Sequence, residues 1–208
     1  MDARSRSGGA RYVAFEGVEG AGKSTIARRV ADFLEELGER VVLVREPGGT
    51  EVGERIRDIL LTTDHEVAPR AEAALFAASR AQLIAETVSP AIAEGVWVLS
   101  DRTAYSSLAY QAGGRGLDIG EVFALNDNAL AGVWPDVVVL LRVETRVGLE
   151  RQSGGDRIGN EEMSFHEKVA AAFDDLAASE PDRFIVVDAS APVDDVVRAV
   201  LAELGIVR

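Results

Sequence analysis

Apolar and polar positions follow two periods along the chain. Five short apolar runs, rich in valine and aromatic residues, have the length of buried strands. Strands are predicted at Val13–Glu16, Val41–Arg45, Trp97–Ser100, Val137–Leu141 and Arg183–Val187. The intervening segments show helical spacing or good helix formers, which predict helices at Thr25–Leu37, Arg70–Glu86, Asp118–Ala131, Glu161–Ser179 and Val193–Leu204. Strands that alternate with helices predict an α/β fold, a five-stranded parallel sheet with helices on both faces.

Length and composition favour a single domain over residues 11–208, because the chain of 208 residues has no repeat and no Pro/Ser-rich linker. Residues 1–10 are rich in Ser, Gly and Arg and lack an apolar stretch, so we expect a flexible leader and not a secretory signal. No apolar run approaches the roughly 18 residues of a membrane span. The absence of cysteine excludes disulfides and thiolate metal sites, and it fits a cytoplasmic protein. The net charge of −13 argues against a general nucleic-acid or membrane-surface binder.

The first predicted strand and the first predicted helix enclose a phosphate-binding signature. Residues 17–24 read G-x-x-x-x-G-K-S, and this context between strand and helix is the one that the P-loop requires. Its glycines let the backbone wrap around phosphate oxygens, and its N–H groups face the anion. Lys23 would reach the β- and γ-phosphates, and the Ser24 hydroxyl would bind Mg²⁺. The predicted ATP-binding residues are Gly17, Val18, Glu19, Gly20, Ala21, Gly22, Lys23, Ser24 and Thr25.

Polar residues follow the second and third predicted strands. The second strand leads into Arg45-Glu46-Pro47-Gly48-Gly49-Thr50, a tight turn in which Arg45 and Glu46 are expected to project over the sheet edge beside the P-loop. The third leads into Asp101-Arg102, where the carboxylate is suited to Mg²⁺ and the guanidinium to a phosphate. The alternatives are a solvated connection for the first segment and a plain Asp–Arg ion pair for the second.

Two further segments have candidate chemistry. Phe76 and Arg80 are four residues apart on a predicted helix, so they share a face that can stack on a base and bind its edge. The alternative is a core Phe with a surface Arg. The segment Glu150–Ile158 contains two glycines with Arg151 and Arg157, which is typical of a flap that brings an arginine to a transferring phosphoryl group. The alternative is an ordinary solvated loop.

The order of these motifs identifies a family resemblance. The P-loop, the Arg-Glu-Pro-Gly-Gly-Thr turn, Phe76 with Arg80, Asp101-Arg102, Ala109-Tyr110-Gln111 and the arginine-bearing flap follow one another. In this combination the chain resembles the thymidylate kinases, the dTMP kinases of the nucleoside-monophosphate kinase group, from about Arg11 to its end. The resemblance implies a P-loop NTPase fold with a short lid at about 151–162. It also implies phosphorylation of dTMP to dTDP by ATP with Mg²⁺, a step in dTTP synthesis.

The resemblance also implies residue roles and an assembly. Phe76 would stack on thymine, Arg80 would bind its edge, and Tyr110 would favour deoxyribose. The dTMP site would comprise Glu19, Arg45, Glu46, Pro47, Phe76, Arg80, Arg102, Ser107, Tyr110 and Gln111. The implied catalytic residues are Lys23, Asp101, Arg102 and a lid arginine, Arg157 or as second candidate Arg151; Ser24 and Asp101 would hold the metal. A homodimer through the helices after the second and third strands is expected.

The sub-type and the alternatives depend on single positions. One branch of the family has a catalytic arginine directly after the acidic P-loop residue; here that position is Gly20, so the chain resembles the bacterial branch in which the lid supplies the arginine. Two alternative functions are a kinase of another nucleoside monophosphate and a P-loop ATPase switch acting on a protein partner. The switch is disfavoured because no water-activating Gln or Glu follows the third strand.

Overall fold

The protein is described by a computed structural model covering residues 11–63, 65–151 and 157–207. Its strands are β1 (Tyr12–Glu16), β2 (Val41–Arg45), β3 (Trp97–Asp101), β4 (Val137–Arg142) and β5 (Phe184–Asp188). They form one parallel sheet in the order β2-β3-β1-β4-β5. The predicted five-stranded parallel sheet is therefore confirmed, and each strand bound agrees within one residue.

Helices connect every pair of consecutive strands in this part of the chain. They are α1 (Lys23–Glu36), α2 (Glu51–Thr62), α3 (Pro69–Leu83), α4 (Ser89–Ala93), α5 (Ala104–Ser107), α6 (Ile119–Leu130), α7 (Thr145–Arg151), α8 (Met163–Ser179) and α9 (Val193–Glu203). A π-helical turn, Ile84–Val88, joins α3 to α4, and a π-helical segment, Leu108–Gly114, extends α5. The predicted α-helix at Arg70–Glu86 thus ends earlier, at Leu83. No helix among the described residues is long and apolar enough to cross a membrane.

Burial explains why the strands form where they do. Every residue of β1 is buried, and the first five of β4 are buried as well. A parallel strand covered on both faces has no polar side, so its sequence is a continuous apolar run. Helices α2, α4, α5 and α7 lie outside the predicted set. Of these, α2 has a local signal, because the Thr50 side chain caps it by accepting a hydrogen bond from the Gly53 N–H at 3.0 Å.

The register of the sheet places the polar carboxyl ends of three strands side by side. Asp101 is the partner of Phe15 on one side and of Arg45 on the other, so the ends of β1, β2 and β3 meet. Ligands of open α/β sheets bind outside these carboxyl ends. The expected leader, residues 1–10, and residues 152–156 of the expected lid lie outside the described residues.

Candidate active site

A cavity of about 640 Å³ lies over the carboxyl ends of β1, β2 and β3. Most of the predicted site residues line it: Glu19, Gly20, Gly22, Lys23, Ser24, Thr25, Arg45, Glu46, Pro47, Phe76, Asp101, Arg102, Ser107, Tyr110, Gln111 and Arg151. Gly17, Val18 and Ala21 belong to the P-loop behind this surface. Arg80 and Arg157, although described, do not line the cavity. Its volume is within the range of small-molecule sites.

Lys23 is held by the loop that precedes it. Its Nζ donates to the carbonyl oxygens of Val18 at 2.8 Å and Gly17 at 3.1 Å. Burial, and then repulsion from Arg102, lowers the pKa of Lys23 to about 8 despite the carboxylates of Glu19 and Asp101. A phosphate would supply stronger acceptors than two carbonyls, so this ammonium group is poised to exchange partners.

Two glycines bring the P-loop against α7. Gly20 has φ +69°, and a Cβ on it would lie 1.8 Å from the carbonyl oxygen of Gly148. A Cβ on Gly148 would lie 2.4 Å from the carbonyl oxygen of Glu19. Neither position has room for a side chain, so an arginine cannot stand at position 20 in this packing. Arg151, three residues after Gly148 on the same helix, lines the cavity instead.

Arg102 has an unusual backbone and a defined side chain. Its φ of 72° is rare for a residue other than glycine, and such strain is concentrated at functional sites. Its Nη2 donates to Glu19 Oε1 at 2.6 Å and to the Tyr110 hydroxyl at 3.2 Å, and its guanidinium lies 4.9 Å from the centre of the Tyr110 ring. Its Nη1 donates to Ser106 Oγ at 3.1 Å. These contacts hold the guanidinium in one position at the carboxyl end of β3.

The loop that holds Arg102 is anchored from below by Glu16. This fully buried carboxylate accepts hydrogen bonds from Thr103 N at 2.7 Å, Thr103 Oγ1 at 2.9 Å, Ser106 N at 3.2 Å and Ser106 Oγ at 2.6 Å. Burial raises the pKa of Glu16, although these bonds and Arg102 oppose the shift. Arg102, Ser106 and Glu16 therefore form a continuous chain of hydrogen bonds from the cavity into the core.

Glu19 is the acidic residue inside the P-loop, and it stays ionised. Burial favours its neutral form, but Arg102, Lys23 and the Tyr110 hydroxyl outweigh that effect and lower the pKa of Glu19 to about 2. The carboxylate is thus a fixed negative charge between two cations that are expected to bind phosphate.

The Ser24 hydroxyl donates a hydrogen bond to Asp101 Oδ2. Both residues line the cavity, and a hydroxyl beside a carboxylate is an oxygen donor set that suits Mg²⁺. Among the described residues there is no cluster of three or more His, Cys, Asp or Glu side chains that could hold a metal alone. The pair therefore fits an ion that completes its coordination with water and phosphate oxygens, as Mg²⁺ commonly does.

At the opposite end of the cavity the ion pairs are buried. Arg80 Nη2 lies 2.6 Å from Glu46 Oε2, and these side chains are 1% and 2% exposed. Arg80 also donates to Ser107 Oγ at 3.2 Å and to Asn126 Oδ1. Glu46 lines the cavity at the sheet edge, and its carboxylate is paired there with the buried Arg80. Arg80 is no surface residue, and it reaches the cavity through Glu46 and Ser107, which line it together with Phe76.

The two candidate arginines beside the undescribed residues 152–156 have different surroundings. Arg151 is exposed, lines the cavity, and donates from Nη1 to the Ala189 carbonyl oxygen at 3.1 Å. Arg157 donates from Nη2 to Glu72 Oε2 at 2.6 Å and from Nε to the Leu60 carbonyl oxygen at 2.8 Å. The structure therefore brings Arg151 to the other site residues and ties Arg157 to α2 and α3.

Several lining residues were missed by sequence reasoning. Arg57 lines the cavity from α2 and donates to the Pro47 carbonyl oxygen at 2.8 Å; Ser106, Leu61 and Ile158 line it as well. The Thr50 cap followed by helical spacing could have revealed α2 and hence Arg57. Ser106, Leu61 and Ile158 carry no local signal, because their place in the cavity depends on how distant elements pack.

The sheet order, the P-loop after its central strand and the cations around the cavity define a P-loop phosphotransferase. The model of the family described as thymidylate kinase matches residues 15–200. The chain is 41% identical over 204 residues to a thymidylate kinase of Desulfosudis oleivorans, covering 93% of this chain and 95% of that one. It is 45% identical over 197 residues to that of Desulfovibrio desulfuricans, covering 89% and 91%. The chain therefore belongs to the thymidylate kinase family.

A solved structure agrees with this membership. The crystal structure of thymidylate kinase from Ehrlichia chaffeensis is similar with a TM-score of 0.79 and 28% sequence identity, covering 94% of this chain and 98% of that chain. The predicted P-loop NTPase fold and the predicted family are confirmed.

Proposed function

We propose that this protein transfers the γ-phosphoryl group of ATP to dTMP, giving ADP and dTDP. The observation that carries the proposal is the placement of two separate sets of cations around one cavity. Lys23 stands at the P-loop, and Arg102 and Arg45 stand at the ends of β3 and β2. Two polyanions that approach in line repel each other, and cations on both sides offset this repulsion.

The P-loop end would receive ATP. Its backbone N–H groups and the N-terminus of α1 would hold the phosphates, with Lys23 leaving its two carbonyl partners for them. Arg151 is proposed as the arginine at the transferring group, because Gly20 cannot carry a side chain and Arg157 is bound to Glu72. An arginine there would stabilise charge that develops during transfer.

Ser24 and Asp101 would hold Mg²⁺, since their oxygens already contact each other at the cavity surface. The ion would neutralise charge on the phosphate oxygens. Asp101 then has a second function, because its carboxylate also contributes to the local charge around Lys23.

The other end would receive dTMP. Arg45 and Arg102 would bind its phosphate, exchanging their present partners Glu54 and Glu19 for it. Phe76 would stack on the base, and Ser107 and Gln111 would face its edge. Tyr110 would stand against the sugar beside Glu19, to which its hydroxyl donates at 3.2 Å.

A coupled ADP-release assay with ATP–Mg²⁺ tests the proposal, using dTMP, dUMP, UMP, dCMP, dGMP and AMP as acceptors. We expect dTMP to be preferred, with dUMP a weaker second acceptor. Preference for another nucleotide would retain the phosphate roles and overturn the base pocket. Slow hydrolysis that no acceptor accelerates would instead support an ATPase switch.

We also propose a cytoplasmic homodimer. Helices α2 and α6, which follow β2 and β3, expose apolar side chains: Val52, Ile59, Ile119, Phe123 and Leu125. A face of this kind is typical of an interface between copies of a chain. Analytical ultracentrifugation is expected to show a dimer, and the Phe123→Glu variant is expected to shift it toward monomer; a monomeric wild-type protein would overturn this.

A further inference from the structure

Glu72, near the start of α3, is a buried carboxylate with no assigned role. Its side chain is 1% exposed. Oε1 accepts from Gln111 Nε2 at 3.0 Å and from Arg115 Nε at 3.2 Å, and Oε2 accepts from Arg157 Nη2 at 2.6 Å and from Arg115 Nη2 at 3.3 Å. Burial disfavours its charge, but the two arginines and Gln111 outweigh this and lower the pKa of Glu72. The group is therefore an ionised carboxylate that only accepts hydrogen bonds.

This carboxylate determines the orientation of a residue in the acceptor pocket. Gln111 lines the cavity, and its amide has one donor end and one acceptor end. Glu72 can only be faced by the NH₂ end, because the amide oxygen would be repelled there. The amide oxygen of Gln111 is then the hydrogen-bond acceptor that this side chain can offer to a ligand.

The two arginines keep Glu72 in this state. Arg115 also forms an ion pair with Glu161, and its guanidinium lies 4.7 Å from the centre of the Phe165 ring. Arg157 adds a second cation and binds the Leu60 carbonyl oxygen. A buried carboxylate with two cationic partners does not take up a proton at neutral pH, so the acceptor-only character persists.

We propose that Glu72 is a positioning residue for base specificity, which holds Gln111 so that its amide oxygen faces the base. An acceptor at that point favours a pyrimidine with a ring N–H, such as thymine or uracil. It disfavours cytosine, whose ring nitrogen is itself an acceptor. Arg157 is then the counter-ion of Glu72 and not the arginine at the transferring phosphoryl group. This inference rests on the proposed function and names what selects its acceptor.

The test compares kcat/KM for dTMP and dCMP in the wild type and in Glu72→Gln. The neutral amide at position 72 can face Gln111 with either end, so Gln111 is no longer restricted to one orientation. We expect the dTMP:dCMP ratio to fall by about tenfold, since a site that binds a particular N–H discriminates through that bond. The matched control is Glu94→Gln, which removes an exposed carboxylate that is paired with Arg40 and does not line the cavity. This variant is expected to keep the wild-type dTMP:dCMP ratio.

A role confined to stability would lower both kcat/KM values by the same factor, and an unchanged ratio therefore overturns the proposal. A second variant, Gln111→Leu, tests it even where Glu72→Gln does not fold. In Gln111→Leu the dTMP:dCMP ratio is expected to fall by at least as much as in Glu72→Gln. In the double variant the ratio is expected to change no further. Retention of wild-type selectivity by Gln111→Leu overturns the proposal.

The wild-type protein separates this inference from the function on which it rests. A wild type that does not prefer dTMP among the acceptors would contradict the proposed function itself. A wild type that prefers dTMP, with a ratio that Glu72→Gln leaves unchanged, would contradict only the role of Glu72.

Discussion

The charged side chains at the two ends of the cavity have different kinds of partners. At the phosphate end, Arg45 pairs with Glu54 with both side chains about half exposed, 53% and 42%. Lys23 rests on two backbone carbonyl oxygens. At the base end, Arg80 pairs with Glu46 with both side chains almost completely buried.

This difference assigns phosphate binding to one end of the cavity and selection of the base to the other. The partners of Lys23 and Arg45 are weak or solvated, so a phosphate can replace them at low cost. The ion pairs at the base end cannot open without leaving a charge in the core. The phosphate end is therefore expected to respond to ligand, whereas the base end holds a fixed shape that pre-organises recognition. The following predictions test this contrast.

The largest effect is expected from Lys23→Ala. Removal of the ammonium group should lower kcat/KM for ATP by about 10³-fold, because a preorganised cation at developing charge is lost. The other lysine of the chain provides a matched control: Lys168→Ala, on the exposed face of α8, should keep wild-type activity. Steady-state kinetics and circular dichroism check both variants, and near-normal turnover in folded Lys23→Ala would refute the P-loop assignment.

At the base end the expected effect is on stability. Arg80→Ala leaves Glu46 buried without its partner, so the free energy of unfolding should fall by about 3–5 kcal/mol. Arg40→Ala breaks the exposed pair with Glu94 and should cost less than about 1 kcal/mol. Urea unfolding monitored by fluorescence measures the loss of unfolding free energy in each variant. Similar losses in the two variants would contradict the contrast between buried and solvated ion pairs.

The assignment of the catalytic arginine is tested on α7. Arg151→Ala should lower kcat by about 10²-fold with little change in stability, because its guanidinium is exposed in the cavity. Arg146→Ala is the control on the same helix, where the side chain pairs with Glu150 on the exposed surface. If Arg157→Gln lowers kcat as strongly as Arg151→Ala, the division of roles between these two arginines is wrong.

The smallest effect is a pH dependence. Because the pKa of Lys23 is lowered to about 8, its protonated fraction in the free enzyme decreases above that pH, and kcat/KM for ATP should fall by about fivefold between pH 8 and pH 9. The unfolded lysine titrates near 10.5, so between these values the unfolded chain binds more protons and this group makes folding more favourable as the pH rises. The loss of activity is therefore not unfolding. An initial-rate series checks it, and a flat profile would contradict the shifted pKa.

Local sequence patterns were sufficient to predict the sheet and the P-loop. The strand bounds were predicted because a parallel strand covered on both faces is a continuous apolar run, as in β1 and β4. Lys23 and Ser24 were predicted because a phosphate is bound by one continuous loop. Asp101 and Arg102 were placed correctly because they stand at the carboxyl end of β3, which lies beside the end of β1 and hence beside the P-loop.

The tertiary structure alone decided which of these charges have buried partners and which have solvated or backbone partners. The sequence by itself determined the fold class and the phosphate-binding loop, since each depends on local patterns, and the family, since it depends on short motifs and the order in which they occur. It left Arg151 and Arg157 as alternatives, and it contained no sign that Glu72 would meet Arg115, Arg157 and Gln111. These contacts join α3 to residues 39 to 85 positions away. Such contacts depend on how whole elements pack, which no local pattern of apolar and polar residues encodes.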